Sequence, residues 1–398
     1  MIVGIVGCGT MGIGIAQVAA TAGNTVVVFD KEQEILLAAK DKLGQRFARL
    51  VEKERLTPAQ ADACIERIRF SNGLSDMASA DLVIEAIIEH VEIKQALFVS
   101  LEAVVSDQCV LASNTSSLPI ASIAAACQHP ERVIGLHFFN PAPVMKLVEI
   151  IPAVQTRPGL TGEMKDLMKA WKKVPVIAKD TPAFIVNRIA RPFYGEALRM
   201  LEEGIADAAT IDWAMKTLAG FRMGPFELMD FIGQDINYKV TNTVFEAFFY
   251  DPRYKPSFTQ KSLVEAGYLG RKAGRGFYRY GADAETVEPN RDEVLGKQIV
   301  RRIGAMLINE AVDALFWQVA TAEDIELAMT KGVNYPKGLL QWADEWGLDD
   351  VLQLLDALYE EYREDRYRAS PLLRRNAKAG VPLLASPAES THTNEHVI

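Results

Sequence analysis

Two groups of residues in this chain have the types and spacing for redox and proton-transfer chemistry. The first is Gly7-Cys8-Gly9-Thr10-Met11-Gly12. Between a strand and a helix, one glycine of such a run makes the tight turn and the second lets the backbone approach a pyrophosphate. The third packs helix against strand, which leaves the N–H groups of the first helical turn aimed at the phosphates. Asp30, eighteen residues after Gly12, closes the next apolar run. A carboxylate there accepts bonds from the ribose hydroxyls of NAD and repels the extra phosphate of NADP. Three glycines alone make only a turn; with strand, helix and Asp30 in register they make a dinucleotide site. The loop suits NAD or FAD, and no second flavin signature accompanies it.

The second group is a histidine and a carboxylate. Of the five histidines, His392 and His396 lie near the chain end, which leaves His90, His129 and His137. His129 precedes Pro130 in a loop-like stretch, whereas His137 ends the apolar run that begins at Val133. A strand end at the carboxyl edge of an open sheet faces the ligand crevice. Oxidising an alcohol by hydride transfer needs a base for the hydroxyl proton, and imidazole suits that task near neutrality. In isolation a strand-end histidine is as readily a hydrogen-bonded structural residue. Beyond Asn140-Pro141-Ala142-Pro143, the segment Met145–Ile150 can return antiparallel, and positions 137 and 149 centre on Pro143. His137 and Glu149 then become cross-strand neighbours. A carboxylate so placed fixes the imidazole tautomer and stabilises its protonated form; the other reading of Glu149 is a solvent-facing strand residue.

The elements that must hold these groups follow from periodicity. Short β-branched runs alternate with longer amphipathic stretches up to about residue 179, the pattern of a doubly wound parallel sheet. Strands are expected at Ile2–Val6, Thr25–Phe29, Asp81–Glu85, Cys109–Ala112 and Arg132–Phe138, with Lys146–Ile151 and Val174–Ala178 as extensions. From Asp180-Thr181-Pro182, which reads as a capped helix start, helical periodicity takes over. The helix expected over Lys31–Arg55 carries Lys42, Arg46, Arg49 and Lys53 on one stripe, either a phosphate-binding patch or a solvated face. The fold class is therefore an α/β Rossmann-type domain, residues 1–180, followed by an all-α region.

That region contains an internal repeat. A shift of 114 residues lays Glu196-Ala197 on Glu310-Ala311, and Ile211, Ala214 and Met215 on Ile325, Ala328 and Met329. Gly224, Asp230, Gly233 and Asp235 fall on Gly338, Asp344, Gly347 and Asp349. Amphipathic helices resemble one another, but matched glycines and aspartates between helices favour duplication. The copies are read as 181–285 and 290–385, separated by a Gly-, Asp-, Glu- and Pro-containing connector, with a polar tail over 386–398.

A net charge of -9 argues against a general nucleic-acid surface. No apolar run approaches a membrane span, and no signal or transit segment precedes the first strand, so a cytoplasmic protein is expected. Cys8, Cys64, Cys109 and Cys127 form no Cys-x-x-Cys pair and lie near no histidine cluster, so neither disulfides nor a metal site is expected.

Five segments occur in the order found in one family: the glycine loop, Ser113-Asn114-Thr115-Ser116-Ser117-Leu118, His137-Phe138-Phe139-Asn140-Pro141, the run from Asp180 to Arg188, and Met223-Gly224-Pro225-Phe226-Glu227-Leu228. The chain resembles the 3-hydroxyacyl-CoA dehydrogenases over about residues 1–280, and the repeat resembles the duplicated helical domain of multifunctional fatty-oxidation enzymes, without a hydratase domain. The resemblance implies NAD-dependent, reversible oxidation of an (S)-3-hydroxyacyl-CoA to the 3-oxoacyl-CoA in fatty-acid or related acyl-CoA metabolism, β-oxidation included. It makes His137 the base and Glu149 its partner, with Ser116 and Asn187 holding the reacting oxygen. It places Glu89, Lys94, Asn114, Ser116, Asn140 and Lys272 against NAD, beside Gly7, Gly9, Thr10, Met11, Gly12 and Asp30. Lys53 matches a CoA contact, while Arg46 stands where relatives carry a small polar side chain. Composition alone reads Ser116 as a turn or cap, Asn187 as an exposed amide, and the charged residues as solvated.

Under the shift of 114, Asn187-Arg188 falls on Arg301-Arg302, and a guanidinium cannot replace an amide's paired donor and acceptor. One active site per chain is expected, the second copy being structural. Simpler family members pair helical domains between two chains, so the fused copy implies a monomer with an internal pseudo-dimer, a homodimer being the alternative. A dehydrogenase of free hydroxy acids and a non-catalytic NAD-binding protein are the competing functions.

Overall fold

The computed structural model describes residues 1–281, 284 and 287–384, in two compact units, Met1–Phe184 and Ile185–Ile398. The tail with His392 and His396 and part of the connector lie outside the described residues.

The first unit is built on an eight-stranded sheet: β1 (Ile2–Val6), β2 (Thr25–Phe29), β3 (Ile68–Ser71), β4 (Leu82–Glu85), β5 (Val110–Ser113), β6 (Val133–Phe138), β7 (Leu147–Pro152) and β8 (Val174–Ile177). Their order is β3-β2-β1-β4-β5-β6-β7-β8, parallel except for the β6–β7 pair. Helices α1 (Thr10–Thr21), α2 (Gln33–Glu52), α3 (Pro58–Glu66), α4 (Val91–Glu102), α5 (Ile120–Ala124) and α6 (Leu160–Ala170) connect the strands. Sheets covered on both faces select continuous β-branched runs, and Val3, Ile5, Val26, Val28, Ile84 and Leu136 are fully buried here. Strand order reverses between β1 and β4, so the crevice at the strands' carboxyl ends opens there.

Two expectations change. Ile68–Ser71 pairs with β2 as an edge strand; four residues with an exposed arginine among them carry too little periodicity to stand out. Asp180 does not begin a helix. Its carboxylate accepts the backbone N–H groups of Ile120 at 2.9 Å and Ala121 at 2.8 Å, capping α5 sixty residues away. Ala183 and Phe184 then adopt positive φ, and helix resumes only at Val186.

The second unit consists of α7 (Val186–Ile189), α8 (Arg191–Glu202), α9 (Ala208–Trp213), α10 (Pro225–Ile232), α11 (Gln234–Ala247), α12 (Phe258–Glu265), α13 (Glu293–Phe316), α14 (Ala322–Gly332), α15 (Leu339–Trp346), α16 (Leu348–Tyr362) and α17 (Pro371–Ala379). A shift of 114 carries α10 onto α15, while α7 and α8 fall on residues 300–316 of the continuous α13. Asp212 accepts the N–H groups of Phe226 and Glu227 at the start of α10, and Glu326 does the same for Leu340 and Gln341 at the start of α15. A Cβ on Gly224 or on Gly338 would collide with these respective carboxylates, a physical reason for glycine at both positions. Gly233 and Gly347 share a backbone conformation, at φ 105°, ψ 127° and φ 87°, ψ 124°.

Candidate active site

The glycine loop joins β1 to α1. Gly7 has φ +95°, and a side chain there would meet the Ala86 carbonyl. At Gly12 a Cβ would run into the Gly7 carbonyl oxygen, so strand and helix meet without room for a methyl group. Beside Gly9, by contrast, nothing lies within 4 Å of an added Cβ. That open space over the first turn of α1 fits a pyrophosphate. Asp30 at the end of β2 accepts the Cys8 N–H at 3.0 Å through Oδ2 and the Glu32 N–H at 3.2 Å through Oδ1. The carboxylate thus braces the loop. The Cys8 thiol also donates to it, and burial and Asp30 push that thiol up to about 12.

Beyond β4 lies a network that the sequence did not disclose. Glu85, fully buried, accepts Lys94 Nζ at 2.5 Å and Ser113 Oγ at 2.6 Å. Lys94, read from composition as a solvated charge, is 1 % exposed and reaches Glu89 as well, at 3.3 Å. Glu89 in turn accepts the Thr115 hydroxyl at 2.6 Å, the Ser116 N–H at 3.0 Å and the Ser117 hydroxyl at 3.2 Å. Burial alone would raise its carboxyl, but the Lys94 charge and the bonds from Thr115 and Ser116 outweigh that and hold it below the usual range. The carboxylate therefore clamps the turn that carries Ser116. A charge closing the apolar strand β4, nine residues before a lysine on a helix, was the available signal.

His137 stands directly opposite Glu149 in the β6–β7 register. Its Nδ1 lies 2.6 Å from Glu149 Oε2. The histidine is 6 % exposed and the glutamate 0 %, which removes the solvent-facing reading of Glu149. Phe139 and Phe184 pack on the imidazole, with centroids 4.5 and 5.9 Å away. Asn114 ties the Ser116 turn to this strand end by accepting the Phe138 N–H at 2.8 Å. Lys173 holds the loop after Asn140 by donating to the Ala142 and Met145 carbonyls, and burial brings its ammonium down to about 8. His90 and His129 instead sit exposed beside Glu92 and Glu131.

Sequence and structure comparisons bear on what such a crevice serves. Residues 2–181 match the family model for the 3-hydroxyacyl-CoA dehydrogenase NAD-binding domain, and residues 184–280 and 299–388 match the C-terminal domain model. The chain is 38% identical to the 3-hydroxyadipyl-CoA dehydrogenase of Escherichia coli (strain K12), over 94% of this chain and 97% of that one. The chain belongs to the 3-hydroxyacyl-CoA dehydrogenase family. A crystal structure of 3-hydroxybutyryl-CoA dehydrogenase from Escherichia coli K12 superposes with a TM-score of 0.91 at 38% identity, covering 95% of this chain and 98% of that one. The (S)-3-hydroxybutyryl-CoA dehydrogenase of Ralstonia eutropha aligns over 70% of this chain and 99% of its own at 40% identity, with a TM-score of 0.68. The chain is thus an NAD-dependent oxidoreductase, and of the two cofactors left open by the sequence, NAD is the one supported. No helix among the described residues is long and apolar enough to cross a membrane.

The remaining expected residues of the dehydrogenase fall in three places. Lys42 and Arg46 line a cavity of about 340 Å³ whose opposite wall is Cys8, Gly9 and Thr10. Arg49 and Lys53 continue along α2, exposed, with Lys53 as its C-cap. Asn187 on α7 and Lys272, which pairs with Asp235 at 2.6 Å, belong to the second unit.

Proposed function

We propose that the enzyme oxidises (S)-3-hydroxyacyl-CoA to 3-oxoacyl-CoA, reversibly, with His137 as the base. The observation that carries this is the buried 2.6 Å contact between His137 Nδ1 and Glu149. With Nδ1 donating to a carboxylate, the neutral ring presents Nε2 as its proton acceptor, and the imidazolium that forms is stabilised where it stands. NAD, when bound, would accept the hydride from the carbon that bears the hydroxyl group. From the first unit, Ser116, positioned by Glu89, holds the reacting oxygen. The glycine loop, Asp30, Glu89, Lys94, Asn114 and Asn140 hold the dinucleotide, and the α2 cations meet the phosphates of CoA. Metabolism of fatty or related acyl-CoA esters is the setting. NADH consumption with acetoacetyl-CoA, then with free acetoacetate, tests the reading. Turnover of the CoA ester alone is expected; activity only on the free acid would make it a hydroxy-acid dehydrogenase, and no turnover on a broad panel would leave an NAD-binding protein.

We further propose that the second helical copy replaces a partner subunit within one chain. Support comes from reciprocal contacts. Arg188 bonds Glu310 at 2.7 Å while Arg302 bonds Glu196 at 2.6 Å, and each partner is the other's counterpart under the shift of 114. Tyr254 and Arg253 reach Glu310 as Tyr367 and Arg366 reach Glu196. Such i-to-j and j-to-i pairing is the mark of a two-fold interface. Position 301 carries a half-exposed arginine in place of Asn187, consistent with one active site per chain.

A further inference from the structure

Glu85 closes β4, whose other residues, Leu82, Val83 and Ile84, are apolar and fully buried. Its own carboxylate is as deeply enclosed, and Lys94, its one ion-pair partner among the described residues, is 1 % exposed. No step of the chemistry so far draws on Glu85. As plain architecture an apolar strand end would need neither charge, because desolvating two ions offsets most of what their attraction returns. What a buried pair of this kind can supply is a fixed place for each partner.

That place is the turn after β5, and two arms run to it from the same carboxylate. Through Oε1, Glu85 accepts Lys94 Nζ at 2.5 Å, and Lys94 reaches Glu89 Oε2 at 3.3 Å. Glu89 Oε1 in turn accepts the Ser116 N–H and the hydroxyls of Thr115 and Ser117. Against burial, the lysine charge is the largest influence keeping Glu89 ionised. Through Oε2, Glu85 accepts the hydroxyl of Ser113, its direct neighbour in the β4–β5 register, and Ser113 Oγ accepts the Thr115 N–H at 3.2 Å. The Glu85 backbone adds a third tie, its carbonyl accepting the Asn114 N–H at 2.8 Å. Asn114 Oδ1 then accepts the Phe138 N–H at the strand end that carries His137. Each of residues 113 to 116 is thus held by a bond that begins at Glu85 or passes through its partners, all within the first unit.

We propose that Glu85 is a positioning residue for the reaction, setting the place of Ser116 through Lys94 and Glu89 on one side and through Ser113 on the other. The inference rests on the reading that Ser116 holds the substrate's reacting oxygen. A carboxylate serves both arms at once, because its two oxygens accept from an ammonium and a hydroxyl together while its charge anchors the ammonium. An amide of the same size cannot, since one of its two ends is a donor. With the charge gone, Lys94 is anchored by Glu89 alone, so the ammonium follows Glu89 instead of fixing it, and the turn loses its reference to β4. A displacement of about 1 Å at a group that holds a reacting atom can cost a hundredfold in rate.

A double-mutant cycle on the full chain separates positioning from general support of the fold. The kcat for NADH-linked reduction of acetoacetyl-CoA is measured for the unaltered enzyme, Glu85→Gln, Ser116→Ala and the double variant. Glu85→Gln is expected to lower kcat about tenfold while Ser116 is present. In the Ser116→Ala background the same change is expected to cost less than about twofold, because the side chain it positions is already gone. Hydrogen exchange over residues 113–118 is expected to quicken about tenfold in Glu85→Gln. An equal fall in both backgrounds, or unchanged exchange in that turn, overturns the proposal and leaves Glu85 a structural residue. Should Glu85→Gln fail to fold, Ser113→Ala, which removes one arm and keeps the charge pair, carries the same comparison with an expected fall of about threefold, the scale of one hydrogen bond. Full kcat in Ser116→Ala alone would overturn the reading of Ser116 and the proposal with it, and is told apart from the other failures because it appears with Glu85 unaltered.

Discussion

His137 meets Glu149 through Nδ1 in a site closed to water on the strand side, so the two side chains should act unequally. His137→Ala removes the proton acceptor and is expected to lower kcat by about two to four orders of magnitude. Glu149→Gln keeps a hydrogen-bonding group but loses the charge and the tautomer preference, and a loss of about ten- to a hundredfold is expected. Steady-state NADH assays distinguish the two, and near-normal turnover of His137→Ala would take the imidazole out of the mechanism. Glu89 makes a different kind of prediction. Its carboxyl is held below the ordinary value of 4.5, so its stabilising effect is complete above that value and fades as pH falls through the folded one. The turn carrying Ser116 should then loosen on the acid side. Hydrogen exchange at the Ser116 amide, which donates to Glu89, should quicken in that range and already at neutral pH in Glu89→Ala; unchanged protection in the variant would refute the clamp.

Among the elements, the hairpin β6–β7 and the Asp180 cap show opposite sides of the same problem. The hairpin's register was legible because both partners lie within a dozen residues, and the alternation of side chains admits only registers that keep the apolar face inward. Asp180-Thr181-Pro182 carries a local helix-start signal, yet its carboxylate is spent on α5, whose N-cap position is Pro119, a residue with no side-chain acceptor of its own. Asp180→Ala should therefore destabilise the first unit by about 1–2 kcal/mol, as loss of a helix cap does. Urea unfolding of the variant against the unaltered protein measures this, and an unchanged midpoint would show that the cap contributes nothing. Edge strand β3 escaped notice because, of its four residues, only the first and last are buried, too short a pattern to show a strand period.

For the whole molecule, the reciprocal contacts of Arg188 with Glu310 and Arg302 with Glu196 support the proposed duplication, and that proposal predicts that the chain is a monomer. Light scattering should return the mass of a single chain, 43.9 kDa; a dimer joined through residues 183–280 would show that the second copy does not occupy the partner's place. Arg188→Met and Arg302→Met should each cost about 3–5 kcal/mol, because Glu310 and Glu196 would stay buried with less compensating charge, and denaturant unfolding reads both. The sequence by itself determined the glycine loop and the acidic close of β2, because each is written in spacing along a stretch short enough for local geometry to constrain it; it offered the His137–Glu149 pairing as one of two readings, which the register decided. Tertiary structure alone decided that Lys94 is buried under Glu85 and Glu89, that Asp180 serves a helix sixty residues away, and that Arg191 is enclosed with no carboxylate within ion-pair distance among the described residues. Burial and charge pairing depend on which distant segments pack together, and no pattern of neighbours along the chain encodes that.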